Sequence, residues 1–194
     1  MSKLLGLVFW LLIPAAGVAQ TTAAMTVEDK LEFHVKRTFG PSALAGSAIY
    51  AGIMQKAAFP REWGQGVEGY GRQLGSTVAA SGIHSALAFG LDSALHQDPR
   101  YFRAGSGAGF WRRSGHAVRG TLLTRTDSGG ETLSTWRIGS AYGAAFLSNE
   151  WYPDRVNTVR LGFAQGSMTL GFGLVSNLAA EFWPDVKRKL LHKK

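Results

Sequence analysis

The sequence predicts an all-α protein, a bundle of about four Gly/Ala/Ser-rich helices preceded by a short amphipathic one. Small residues recur at four-residue spacing over long stretches with few charges. Four such stretches run out into an aromatic or acidic residue, a proline and a charge: Phe59-Pro60-Arg61, Asp98-Pro99-Arg100, Tyr152-Pro153-Asp154 and Trp183-Pro184-Asp185. Proline lacks the amide hydrogen a helix needs and biases the preceding residue away from helical geometry, so these four sites read as helix stops.

The first 19 residues have the layout of a secretory signal. Lys3 supplies a positive start, Leu4 to Ile13 an apolar run, Pro14 a break, and Gly17-Val18-Ala19 small residues before a cut ahead of Gln20. The run is short for a membrane span, although an uncleaved N-terminal anchor is the alternative. Residues 20–194 then form a single helical domain with a basic C-terminal tail. The chain has no cysteine, so an exported form is held by packing without disulfides. Loss of Lys3 lowers the formal net charge from +8 to +7. With export, that balance suits anionic lipid or an acidic envelope polymer better than nucleic acid.

Thr26 followed by Asp29 resembles a capping box, and Leu31, Val35 and Phe39 recur at helical spacing until Gly40-Pro41 closes the helix. Residues 41–59 follow, with Ser42/Gly46 and Ala48/Gly52 in small-x-x-x-small pairs. The longest candidate runs from about Glu68 to His96; Gly71, Gly75 and Ala79 form one ladder on it, and Gly82, Ala86, Gly90 and Ala94 a second. Beyond a basic connector come Ile138 to Trp151, with Gly139 and Gly143, and Leu161 to Trp183, with Gly162 and Gly166. Glu150-Trp151-Tyr152-Pro153-Asp154 and Glu181-Phe182-Trp183-Pro184-Asp185 echo each other as aromatic collars.

Glycine inside a water-exposed helix costs about 1 kcal/mol against alanine, so this many glycines need compensation. Close helix–helix approach supplies it, most of all in a membrane, where lipid provides no hydrophobic drive between helices. Membrane-associated helices are the reading favoured here, with a soluble bundle and a glycine-rich β fold as alternatives. Two features weigh against ordinary inner-membrane topology. His84 and Asp92 fall within a candidate span. The arginine-rich connector 97–137 and the lysine-rich tail 185–194 would also face outward after export, against the positive-inside tendency. Helices too polar for the inner membrane, settling at the outer membrane or on the periplasmic face, escape both objections.

Chemistry is sparse. His96 and Asp98 stand two apart beside Arg100, and His84 and Asp92 form another pair; either could serve as acid and base. The alternative for the first is a helix stop with arginine ion pairs. His34, His84 and His116 lie in no recognisable metal spacing, so no metal and no cofactor are expected. Arg112, Arg113 and Arg119 lie among Phe110, Trp111 and Val118, as on a basic amphipathic helix against anionic headgroups. Lys187, Arg188 and Lys189 extend that charge into the tail. Residues 124–130 are a loop by composition, and their Gly129-Gly130 pair lacks the phosphate-loop spacing.

Leu95 to Arg103, Thr124 to Gly130 and Glu181 to Lys189 resemble segments of a group of uncharacterised exported bacterial envelope proteins, a resemblance that implies an envelope location and no particular activity. In packing alone, the glycine ladders are similar to those of Tim17-type translocase proteins. The expectation is a non-enzymatic, membrane-associated envelope protein that can self-associate. The rival is a soluble periplasmic enzyme or acidic-polymer-binding module built on His96, Asp98 and Arg100.

Overall fold

The computed structural model describes residues 23–105 and 107–191. The expected signal segment and the last three residues of the basic tail lie outside the described residues. Six α-helices carry the fold: α1 Val27–Phe39, α2 Pro41–Lys56, α3 Gly66–Ala94, α4 Phe110–Leu122, α5 Thr135–Asn149 and α6 Val159–Leu191. A two-stranded antiparallel hairpin, β1 Leu123–Arg125 and β2 Glu131–Leu133, joins α4 to α5, with Thr124 opposite Thr132. The segment expected to be wholly loop therefore begins inside a strand. Its tip is held by the Thr126 amide donating to the Gly130 carbonyl (2.9 Å), with Gly129 in the left-handed region at φ +88°.

The capping box closes as the sequence implies. The Asp29 amide donates to Thr26 Oγ1 at 3.1 Å, and the Thr26 amide donates to Asp29 Oδ2 at 2.9 Å. Pro41 then starts α2 at a position where its missing amide hydrogen costs nothing. Helix α3 is the hub, with α1, α2 and α5 packed on it; α5 also carries α6, which carries α4.

Three proline exits lie outside the helices, whereas Pro184 sits inside α6, which continues to Leu191. Proline cannot donate to the carbonyl one turn back and crowds it. The loosened turn is clamped from outside, because Arg113 Nη2 donates to the backbone carbonyl of Glu181.

The glycine ladders divide in two. At the α5–α6 seam, Gly162 lies under the Phe146 ring and Gly166 under the Tyr142 ring. At the α3–α5 seam, Gly139 and Gly143 receive the tips of Leu91 and Leu87. On α3, by contrast, Gly71, Gly75 and Gly90 face open space, Gly82 meets only the edge of Phe39, and Ala86 is exposed. Packing between helices therefore does not use the α3 ladders, because the face that meets α5 is the leucine face.

The largest departure from expectation is in which face turns inward. On α1, Lys30, His34 and Thr38 point into the protein, with Lys30 only 1 % exposed, while Val27, Leu31, Val35 and Phe39 point out, with Leu31 at 47 %. Helix α4 repeats this: Arg113, Ala117 and Thr121 are buried, while Phe110, Trp111, Val118 and Leu122 are exposed. On α6, Asn177 and Glu181 are buried, and Phe163, Met168, Phe172 and Val175 are exposed. Among the described residues, the buried apolar side chains are six alanines, Trp136, Val156 and the prolines Pro60 and Pro99. Soluble proteins place their large apolar side chains the other way round.

Candidate functional site

The inward polar stripe of α1 docks on the C-terminal end of α3. His34 Nε2 lies 2.6 Å from Asp92 Oδ2, and Lys30 Nζ donates to the Asp92 carbonyl (3.2 Å) and to Asp127 Oδ2 (2.8 Å) on the hairpin tip. Asp92 is fully buried, so the pairing that the sequence offered for it, with His84, is not made. His84 instead meets Ser140 Oγ at 3.2 Å.

His96 and Asp98 also go to separate partners. His96, with its side chain 80 % exposed, lies 3.7 Å from Asp127 Oδ2. The Asp98 carboxylate accepts from the Arg100 amide at 2.9 Å, and Arg100 Nη2 donates to Asp98 Oδ2 at 2.6 Å. Arg100 Nη2 also donates to the Ala23 carbonyl at 2.7 Å, tying down the start of the described chain. This is the helix stop with an arginine ion pair, not an acid–base pair.

Arg113, expected to face lipid, is buried instead. Its guanidinium meets Asp185 and lies 3.5 Å from Glu181 Oε2, beneath the Phe182 ring at 4.4 Å. Glu181 Oε1 accepts from the Tyr101 hydroxyl and the Ala104 amide, both at 2.7 Å. The hydrogen bond to Asp185, and after it the Glu181 carboxylate, hold Arg113 above its ordinary pKa, and Asp185 is held below its own by that bond. Burial, then the bond to Glu181, pushes the Tyr101 phenol up. Arg119 is exposed and paired with Glu131, and Arg188 with Asp185 (2.9 Å). Arg112, Lys187 and Lys189 are exposed. Among the described residues, no three His, Cys, Asp or Glu side chains converge as a metal-binding group.

A cleft of about 450 Å³ opens where α1, α2, α3, α5 and α6 meet. Arg37, His34 and Thr38 enter it from α1, Tyr50 from α2, His84 and Ser85 from α3, and Trp136 and Arg137 from α5. The wall also carries the hydroxyls of Ser47, Ser76, Thr77 and Ser81. Arg37 makes no hydrogen bond or ion pair among the described residues; its one aromatic neighbour is Phe33, at 5.9 Å. Arg137 donates to the Gly120 carbonyl and lies over the Trp136 ring at 4.6 Å, again with no carboxylate partner among the described residues. Arg37 is exposed; at Arg137, half-buried, burial first and then the nearby Arg37 charge push the pKa down to about 10, so it stays cationic at neutral pH.

Sequence reasoning missed Arg37, Arg137 and His34 as a group because they come from helices far apart in the chain. A signal was present in α1, where Lys30, His34 and Thr38 repeat at the same four-residue spacing as the apolar residues. Two opposed stripes allow either face to turn inward. No protein-family model, curated protein or solved structure matches this chain.

Proposed function

We propose that this protein is a non-enzymatic, membrane-associated component of the bacterial cell envelope, acting through contact with anionic lipid. The observation that carries the reading is the reversal of α1, α4 and α6, each with charged or polar side chains inside and large apolar ones outside. Water penalises that arrangement, whereas an apolar surround favours it. Helix α3 supports the reading, being long and apolar enough to cross a membrane, with 6 % of its most apolar window buried by protein.

One end of the molecule has the composition of an interfacial belt. Phe110 packs on Phe182 at 5.2 Å, bringing the start of α4, with the exposed Trp111 and Arg112, to the C-terminal part of α6, where Lys187 and Lys189 are exposed. Aromatic rings favour the headgroup layer, and each lysine or arginine there gains roughly 1 kcal/mol from anionic lipid. The open ladder of Gly71 and Gly75 leaves α3 able to accept a further helix in the small-residue manner, and a second copy of the chain is the natural candidate.

Fractionation of cells expressing the full chain, followed by carbonate washing of inner and outer membranes, tests the reading. Retention in washed membranes is expected. Recovery as a soluble monomer would overturn it.

A further inference from the structure

We infer that the five-helix cleft is a binding site for an oxyanion, a phosphate group carried on a lipid headgroup or a small soluble compound. This goes beyond membrane association and stands without it, since the cleft is formed by the protein alone. Arg37 and Arg137 both enter the cleft, close enough for the charge of one to lower the pKa of the other. Elsewhere in the interior the cations are neutralised in place: Lys30 by Asp127, and Arg113 by Glu181 and Asp185. The two cleft guanidiniums have no such partner among the described residues, and no carboxylate lines the cleft. Arg37 is exposed and Arg137 half-buried, so two like charges without a counter-ion line one opening, and an anion that settles between them is attracted by both.

The rest of the wall suits the same ligand. The hydroxyls of Ser76 and Ser81 can donate to phosphate oxygens, and Thr77, whose hydrogen goes to the Gln73 carbonyl, can accept from glycerol or sugar hydroxyls. Trp136, which forms part of the wall, has an indole N–H with no acceptor among the described residues. The guanidinium fork matches phosphate geometry with paired hydrogen bonds, which a lysine ammonium cannot reproduce. A volume of about 450 Å³ holds a headgroup but not two acyl chains, so a lipid would leave its tails outside.

The test uses the purified full chain in neutral detergent, with three probes titrated calorimetrically: inorganic phosphate, dioctanoyl phosphatidylglycerol and dioctanoyl phosphatidylcholine. Saturable binding of phosphate or of the phosphatidylglycerol probe is expected, weakened roughly tenfold or more in Arg37→Gln/Arg137→Gln, with the Arg→Lys pair recovering only part. Arg61→Gln/Arg160→Gln, two exposed arginines outside the cleft and the belt, changes the surface charge by the same amount and is expected to bind like the unaltered protein. Circular dichroism and the thermal midpoint of each variant show whether it is folded. Phosphate alone binding identifies a soluble ligand; the phosphatidylglycerol probe alone identifies a lipid. No saturable binding of any probe, equal binding to the zwitterionic lipid, or equal losses in surface and cleft variants would overturn the inference. Failure of the carbonate-wash experiment would leave this result unaffected, so the two ideas fail separately.

Discussion

Two arginine environments differ in how their charge is met, and the Tyr101 phenol feels one arginine of each, Arg113 and Arg137. At Arg113, the charge is matched by Glu181 and Asp185, a backbone carbonyl fills one remaining donor, and Phe182 covers the face. At Arg37 and Arg137, two cations share a cleft with hydroxyls and histidines, and no acid meets them among the described residues. The first arrangement locks α4 to α6; the second leaves donors unspent in a space large enough for a ligand. Identical side chains thus divide into a brace and a receptor according to whether the fold supplies their counter-charge.

The widest separation between the two comes from removing one charge on each side. Glu181→Gln leaves Arg113 with Asp185 alone and removes the charged acceptor of Tyr101 and Ala104, and is expected to cost about 1.5–3 kcal/mol, read as a fall in thermal midpoint. Arg137→Gln removes one of two mutually repelling charges, and its midpoint is expected to stay close to that of the unaltered protein or to rise. Equal losses would erase the distinction drawn between brace and receptor.

The same contrast extends to the glycines. A Cβ on Gly162 would run into the Phe146 ring, so Gly162→Ala is expected to destabilise by about 1–3 kcal/mol. Gly75 faces open space, so Gly75→Ala is expected to stabilise by up to about 1 kcal/mol, unless another helix occupies that face. A loss at Gly75 accompanied by a change in oligomeric mass would show that α3 carries a partner.

The smallest effect concerns acid. Asp185 is held below its ordinary pKa by Arg113, so its contribution is present above the unfolded value near 3.8 and fades as pH falls through the lower folded value. Following the thermal midpoint from about pH 5 to about pH 2 should show a shallower decline in Asp185→Asn than in the unaltered chain. Parallel curves would place the acid sensitivity elsewhere.

The all-α character was legible in the sequence because its signals are local: the Thr26/Asp29 box, the Gly40-Pro41 junction, the uncharged tracts; the number was not, since six helices are described where about four and a short one were expected. Pro184 misled because what holds its turn, Arg113, lies 71 residues away in the chain. The hairpin was missed because its strands have three residues each, too few to show alternation. Facing was least legible. Stripes on α1 and α4 can be read either way round until Asp92, Asp127 and Glu181 are known to receive the polar ones. His96 and Asp98, adjacent in sequence, diverge because His96 takes a left-handed conformation, φ +52°, at the end of α3.

Helix α3 has 29 residues, about 43 Å of rise, against a hydrocarbon slab of about 30 Å. In a bilayer, a tilt of about 20° recovers only a few ångströms of that mismatch, so roughly two turns or more must emerge. The emerging end is set by Asp92, whose tethers to Lys30 and His34 fix α1 across it. On the proposed membrane reading α1 would be a float: its outward Val27, Leu31 and Val35 would lie in the headgroup boundary and fix how deep the long helix sinks. Insertion depth would then be governed by one buried aspartate rather than by the length of the apolar run, and a thinner or thicker membrane would change the tilt of α3 before it changed the level of the cleft.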